Sequence, residues 1–263
     1  MNDRYYVNLK AIKVVMIFWL LGWTIKSLFF FPYLLGEIVD YPIIHPLFPE
    51  FFRSPTVAQL AYFLPWVGFL ALLSEGKRSL IATSCLFVLA SLVLMCHSDT
   101  YNDATFVTSF WSGLWLLWFA VNLDRTDGNL RLHACALAQS MIGIIFLGGA
   151  VGKFTPEYWN GTIIYNVFFF QGQDGLARDI IHHLSIGQQK VWAMYFSRMI
   201  IFTEGFLVLS PLWPTRFIAT IGPIFILAIT FFSTWRILSV VACLIGLFLG
   251  CLYLQEPEDG HDA

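Results

Sequence analysis

The sequence predicts an all-α, polytopic integral membrane protein: a helical bundle of about eight transmembrane helices, with interfacial helices on its outer face. Of its 263 residues, 58% are hydrophobic and 12% are charged, whereas a soluble domain is about 45–50% apolar and about 25% charged. The apolar residues form runs of about 20 residues, the length that a helix needs to cross a hydrocarbon core. Because these runs lack the alternation of barrel strands, we expect helices.

Charged residues bound most of the predicted spans. Six runs carry no charge: 54–74, 79–98, 104–123, 132–152, 217–235 and 237–255. Two more, about 12–36 and 191–215, are interrupted, the first by Lys26 and the second by Arg198 and Glu204. We therefore expect one transmembrane domain over 1–254 and a frayed acidic tail over 255–263.

The distribution of basic residues predicts that both termini of this multi-pass protein are cytoplasmic. That side would carry Arg4, Lys10, Lys13, Lys77, Arg78, Arg125, Arg131 and Arg216, against Arg53, Lys153, Arg178, Lys190 and Arg236 outside. Lysine and arginine concentrate on the cytoplasmic side of membrane proteins. The two long connections, 37–53 and 154–190, would then lie outside, with short interfacial helices near 165–170 and 176–184.

Composition and spacing argue against several classes of function. A formal net charge of −2 argues against a nucleic-acid partner. The five cysteines show no CxxC spacing and the six histidines show no HxxxH or HExxH spacing, so we expect structural thiols and no metal site. Neither a phosphate-binding loop nor a nucleophile elbow is present. Asn160-Gly161-Thr162 fits the short glycosylation pattern, which alone does not establish a modification.

Three ionisable residues interrupt the apolar runs. Arg198 and Glu204 are six residues apart, about 120° around a helix, so they do not form a one-turn ion pair and their partners should lie on other helices. A charge at such depth is costly unless it is paired or faces a polar cavity, and it therefore marks either a register-fixing pair or a functional site. Lys26 shares a helical face with Trp19 and Trp23, and we interpret it as a snorkelling lysine.

One segment, QSMIGIIFLGGAVGKFTPEYWNGTIIYNVF over 139–168, is the most informative. It resembles the signature of the horizontally transferred transmembrane (HTTM) family, which includes the vitamin K-dependent gamma-carboxylase. In that signature, a helix rich in small and aromatic residues ends in a lysine, followed by a tryptophan, a glycine and an interfacial helix. The matching residues here are Gly148, Gly149, Lys153, Trp159 and Gly161.

Two weaker similarities extend the resemblance over residues 15–250. The polar stretch 97–103, which includes Tyr101 and Asn102, resembles the family's outer turn, and Phe202-Thr203-Glu204-Gly205 resembles its acidic position in a later helix. The resemblance implies a membrane-embedded cavity that binds a quinone-type lipid. A DoxX-like protein, which also has a lysine at a helix end, is the rival relative.

The chain also departs from the carboxylase. The interval from lysine to tryptophan is one residue longer, a histidine near Asn102 is replaced by Asp103 and Ala104, and the large lumenal C-terminal domain has no counterpart. Carboxylation of protein glutamates is therefore not expected. The resemblance leaves the lipid-binding cavity as the part of the family's function that this chain could share.

Lys153 is the predicted catalytic residue. Partial desolvation at the end of an apolar helix would favour a neutral amine that can act as a base, and Gly148, Ala150 and Gly152 would let a neighbouring helix approach closely. The alternative is a lysine that caps the helix and meets headgroups at the outer interface.

The leading hypothesis is an HTTM-family protein with an outward-facing intramembrane cavity for a quinone-like lipid. Its predicted substrate-binding residues are Tyr101, Asn102, Trp159, Arg198 and Glu204. Short loops and abundant aromatic surface equally fit a non-catalytic subunit that packs against other integral membrane proteins. Membrane lipids are expected partners in both cases, and the sequence does not decide whether the protein is an enzyme.

Overall fold

A computed structural model describes residues 3–32, 49–73, 76–96, 104–125, 129–170, 181, 183–233 and 237–255. The α-helices are α1 (Asp3–Pro32), α2 (Pro55–Phe63), α3 (Phe69–Leu72), α4 (Lys77–Met95), α5 (Ala104–Val121), α6 (Asn129–Val151), α7 (Pro156–Trp159), α8 (Thr162–Tyr165), α9 (Ile186–Val208), α10 (Thr215–Phe232) and α11 (Leu238–Leu254). Short 3₁₀-helices cover Glu50–Arg53, Leu64–Gly68 and Ser210–Leu212, and a π-helical turn covers Asn166–Phe170. These described ranges contain no β-strand, so the predicted all-α class is confirmed.

Six of the described helices, α1, α4, α5, α6, α9 and α10, are long and apolar enough to cross a membrane. They confirm a multi-pass membrane protein. Two further apolar segments are shorter or interrupted: α11 has 17 residues, and the helical stretch 55–72 tightens to a 3₁₀-helix at Pro65. Proline lacks an amide N–H and its ring crowds the preceding turn, which accounts for the interruption.

The centre of the bundle is the close contact between α1 and α11. A Cβ atom added at Gly22 would lie 2.5 Å from the backbone oxygen of Ser239, and one added at Gly246 would lie 2.6 Å from the Cβ atom of Phe18. Only glycine therefore fits at these two positions. Small residues let the backbones of membrane helices approach, which increases the van der Waals contact that holds such helices together.

Buried indoles join the helices through hydrogen bonds. The Nε1 atom of Trp19 donates to the backbone oxygen of Ser109 at 2.8 Å, and that of Trp115 donates to the backbone oxygen of Ala134 at 2.8 Å. Both tryptophans are fully buried. A buried N–H without an acceptor is costly, so these contacts fix α1 against α5 and α5 against α6.

Polar contacts show which helix ends lie together. Arg131 Nε donates to Asn8 Oδ1 at 3.2 Å, and Arg216 Nη2 donates to the backbone oxygen of Gln255 at 2.7 Å. We call the end of the bundle that carries Asn8 and Gln255 the terminal end, and the opposite end the loop end. The first residues of α5 and α11 meet at the loop end, where the hydroxyls of Thr105 and Ser239 are 2.8 Å apart.

The buried apolar residues form two clusters. The main cluster draws on residues from Leu9 to Leu254 and fills the bundle. The satellite cluster contains Tyr158, Ile164, Phe168, Ala193, Phe196, Ile200, Ile201 and Ile229. It packs the short helices after α6 against α9 and Ile229 of α10, so these helices lie along α9 and are not isolated at the surface.

Several predicted features fall wholly or mostly outside the described residues. These are most of the first long connection, the polar stretch 97–103, most of the expected helix 176–184 and the tail beyond Gln255. The aromatic stretch 165–170 is described, and it is helical as expected.

Candidate functional site

The centre of the candidate site is an ion pair between α9 and the turn after α6. Lys153 Nζ donates to both carboxylate oxygens of Glu204 at 2.9 Å, and it also donates to the backbone oxygen of Gly149 at 2.8 Å. Three oxygens thus accept from the three N–H bonds of an ammonium group. Glu204 was expected to have a partner on another helix, and Lys153 supplies that partner from the turn that follows α6.

The local backbone directs the lysine side chain back over the last turn of α6. The Lys153 amide donates to the backbone oxygen of Ala150 at 2.8 Å, which closes a tight turn after Val151. A Cβ atom at Gly149 would lie 3.5 Å from Lys153 Nζ and 3.7 Å from the Glu204 carboxylate. The glycine therefore leaves room for both charged groups beside its own carbonyl.

Measured along α9, the ion pair lies well away from the loop end. Ser210 Oγ donates to the backbone oxygen of Gln139 at 2.6 Å, just before α10 begins. Glu204 precedes Ser210 by six residues, about 9 Å of helix rise, whereas Ile186 lies about 27 Å away at the start of α9. Lys153 itself lies just after Val151, the last residue of α6, and its amine reaches back one turn to Gly149.

The ion pair is only partly enclosed. The side chain of Lys153 is 24% exposed and that of Glu204 is 13% exposed. Val151 and Phe202, which flank the two charged residues in sequence, are exposed apolar side chains on the outside of the bundle. A charged pair is thus accessible from a surface whose neighbouring residues are suited to lipid.

Tyr158 is a neighbour of the pair that the sequence did not single out. Its ring centroid lies 5.9 Å from Lys153 Nζ, and its backbone oxygen accepts a hydrogen bond from the buried hydroxyl of Ser197 on α9. Burial raises the pKa of the Tyr158 hydroxyl, and the nearby Glu204 carboxylate raises it further, so the phenol stays protonated. This hydroxyl is therefore available as a hydrogen-bond donor, and it is close enough to the carboxylate to feel its charge.

Trp159 and Arg198 form a second polar contact nearer the loop end. Arg198 Nε donates to the backbone oxygen of Trp159 at 3.3 Å, and the guanidinium carbon lies 5.2 Å from the centroid of the indole. Phe202 meets the same indole edge to face at 5.9 Å. These contacts hold the half-exposed Trp159 on the outer surface of α9.

Gly161 sets the direction of the chain between α7 and α8, the two short helices that follow the ion pair. Its φ angle is +81°, in the left-handed region that glycine adopts most readily. A Cβ atom there would lie 2.4 Å from the backbone nitrogen of Met194 on α9. The position therefore combines a backbone conformation that favours glycine with a contact that excludes any side chain.

The structure brings together some of the predicted site residues. Lys153 and Glu204 are in direct contact, and Trp159 and Arg198 form a separate contact along α9. Tyr101 and Asn102 lie outside the described residues.

The small residues near Lys153 behave differently from the prediction. Ala150 is buried, but a Cβ atom at Gly148 or Gly152 would have no atom within 4 Å. Among the described residues, these two glycines therefore face open space and do not contact a neighbouring helix. Gly148 on α6 and Gly152 just after it leave a small-residue face beside the charged pair.

Lys26 lies in another part of the bundle. Its side chain is buried, with Nζ 5.0 Å from the ring centroid of Phe30 and 5.4 Å from that of Phe106. A snorkelling lysine would extend along the lipid-facing surface, so that interpretation was wrong. Lys26 is instead a buried cation between aromatic rings of α1 and α5.

The five thiols do not form a second candidate site among the described residues. Cys96, Cys135, Cys243 and Cys251 are buried and Cys85 is half-buried, and all five are free thiols. No group of three or more potential metal ligands comes together within the described ranges.

Comparison with known proteins gives no relative: no family model, no curated protein and no solved structure matches this chain.

Proposed function

We propose that this chain is an HTTM-family protein that binds the polar head of a quinone-type lipid at the Lys153–Glu204 pair. The observation that carries the proposal is a charged pair with both partners partly exposed, on a face whose neighbours are apolar and glycine-rich. An ionisable group within a membrane domain is costly and rare, and its presence points by default to a functional site such as a ligand or proton site. A lipid with a polar ring would approach from the side of the bundle.

The chemistry of the pair suits a quinone ring in either redox state. The Lys153 ammonium donates to a quinone carbonyl, and the Glu204 carboxylate accepts from a hydroquinone hydroxyl. The Tyr158 hydroxyl is a second donor, and Trp159 with Phe202 supplies aromatic surface for the ring or its tail. In this arrangement Glu204 is the proton acceptor, while a neutral Lys153 acting as a base stays a prediction from the resemblance.

Substitution of Lys153 tests this proposal. Lys153→Met keeps much of the apolar stem but removes a charge-assisted hydrogen bond, so binding of a decyl-substituted naphthoquinone should weaken about tenfold. Lys153→Arg keeps a cation beside Glu204 and should bind within about threefold of the unchanged chain, but a guanidinium stays protonated and cannot act as a base. The measurement is equilibrium binding in mild detergent, normalised to folded protein.

Lys10→Met is the matched control, because Lys10 is an exposed lysine on α1 at the terminal end. It should leave naphthoquinone binding unchanged. Full binding by Lys153→Met would contradict the proposal. If the unchanged chain converts a bound lipid and Lys153→Arg retains that turnover, Lys153 is excluded as the base.

The second candidate function is a non-catalytic subunit of a larger membrane complex. The open face at Gly148 and Gly152 favours it, because two small residues four positions apart let another membrane helix approach closely. Purification in mild detergent, followed by mass spectrometry of proteins and lipids, separates the two functions. A stoichiometric protein partner without a retained lipid favours the subunit, and a specific isoprenoid quinone favours the lipid site.

We also propose eight membrane crossings with both termini in the cytoplasm. The interrupted segment 55–72 and α11 would add two crossings to the six long helices. The contacts at both ends of the bundle fit antiparallel order. Cysteines introduced at Glu50 and Gly187 should then react with an impermeant thiol reagent in intact cells, whereas a cysteine at Asn129 should react only after lysis. The reverse pattern would invert the orientation.

A further inference from the structure

A pocket lies at the loop end of the bundle, beside the first turns of α9. Its volume is about 430 Å³, within the range of about 300–1,000 Å³ that is typical of small-molecule sites. It is lined by Asn160, Thr162, Tyr165, Asn166, Ile186 and Lys190. Lys190 precedes Glu204 by 14 residues of α9, about 21 Å of helix rise. The pocket is therefore separate from the Lys153–Glu204 pair.

Among the residues that the structure describes, the pocket carries positive charge without a compensating carboxylate. Its described lining includes one cation, Lys190, and no acidic residue. Lys190 Nζ lies 5.8 Å from the ring centroid of Tyr165, and within the described part of the chain it forms no salt bridge. The cation is thus held at the pocket by an aromatic ring, which leaves its N–H bonds for a ligand.

Neutral donors add to this charge. Asn160 Oδ1 accepts from the amide and the hydroxyl of Thr162 at 3.0 and 2.6 Å, which leaves the Asn160 NH₂ group as a donor. Asn166 supplies a second side-chain amide. Ile186 begins the 23-residue α9, whose N-terminus carries partial positive charge. A lysine, two amides and a helix N-terminus around one pocket favour an anion.

We propose that this pocket binds the phosphate group of an anionic lipid headgroup. The phosphate accepts from Lys190 and the two asparagine amides. The segment that lines the pocket also carries the exposed apolar side chains of Trp159 and Ile163, which offer a path for acyl chains. That apolar border favours a lipid over free phosphate. The proposal does not depend on quinone binding at Lys153.

The test uses the purified full-length chain in an uncharged detergent, with native mass spectrometry of bound lipid. The probes are short-chain phosphatidylglycerol and diacylglycerol of the same chain length. The unchanged chain should prefer phosphatidylglycerol, and Lys190→Gln should weaken that binding about tenfold, because it removes a charge-assisted hydrogen bond. Lys10→Gln and Lys153→Met should leave phosphatidylglycerol binding unchanged, which separates this site from the proposed quinone site.

A second variant fills part of the pocket without changing its charge. Ile186→Trp places a large ring at the lining and should also reduce phosphatidylglycerol binding, whereas Lys190→Arg should retain it. Equal affinity in the unchanged chain, Lys190→Gln and Ile186→Trp would overturn the proposal. Displacement of phosphatidylglycerol by inorganic phosphate at equal concentration would also overturn it, since the pocket would then be a site for free phosphate.

Discussion

Glu204→Ala should lower the free energy of unfolding by about 2–4 kcal/mol. The substitution leaves the partly buried Lys153 ammonium with the Gly149 carbonyl as its remaining acceptor among the described residues. Breaking a buried pair costs more than removing both members, because the remaining charge loses its compensation. The measurement is the thermal midpoint in mild detergent, where each kcal/mol corresponds to about 2–4 °C for a chain of this size.

Two further variants show whether the loss comes from the ion pair. Glu157→Ala is the matched control, because Glu157 is an exposed carboxylate on α7 and forms no salt bridge with any described residue. The double variant Lys153→Met with Glu204→Leu should be more stable than Glu204→Ala alone, since it leaves no unpaired charge. Equal thermal midpoints for Glu204→Ala and Glu157→Ala would show that the pair contributes nothing to stability.

Gly161→Ala should be at least as damaging, with an expected loss of about 2–5 kcal/mol. Two independent costs add. A left-handed conformation is unfavourable for alanine, and the new methyl group would press against the backbone of α9 at Met194. The satellite cluster depends on this approach, so folded yield and thermal midpoint should both fall.

Gly148→Ala is the matched control for this prediction. Gly148 lies within α6, and a Cβ atom there meets open space, so alanine should be neutral or stabilise the helix by up to about 1 kcal/mol. The contrast separates the effect of one added methyl group from the effect of its position. If Gly161→Ala kept the midpoint of the unchanged chain, the backbone at this turn would have to adopt another conformation.

The predictability of the fold differs from that of the site for a physical reason. Uncharged runs such as 104–123 and 132–152 specify helices because the lipid environment leaves few alternatives. The need of Glu204 for a partner on another helix also followed from sequence, because an uncompensated charge at that depth is costly. The identity of that partner did not follow, because it depends on where the end of α6 meets α9.

Other features carry weak sequence signals. Ser197 contacts the backbone of Tyr158, which any residue could supply, so no pattern of side chains could have indicated that neighbour. Gly148 and Gly152 have the spacing of a helix contact, but spacing cannot tell whether the partner belongs to the same chain. The Asn160-Gly161 dipeptide is a turn signal, and it is consistent with the left-handed glycine found there.

The two apolar clusters give the protein regions of unequal local stability. Glu204 lies on α9 between Ile201 of the satellite cluster and Leu207 of the main cluster, so the charged pair stands at their boundary. The free energy of a local opening depends on the contacts that it breaks, and the satellite cluster is much the smaller of the two. The segment from Tyr158 to Phe168 could therefore detach from α9 while the main bundle stays folded, and each such opening would admit a bulky molecule to the charged groups.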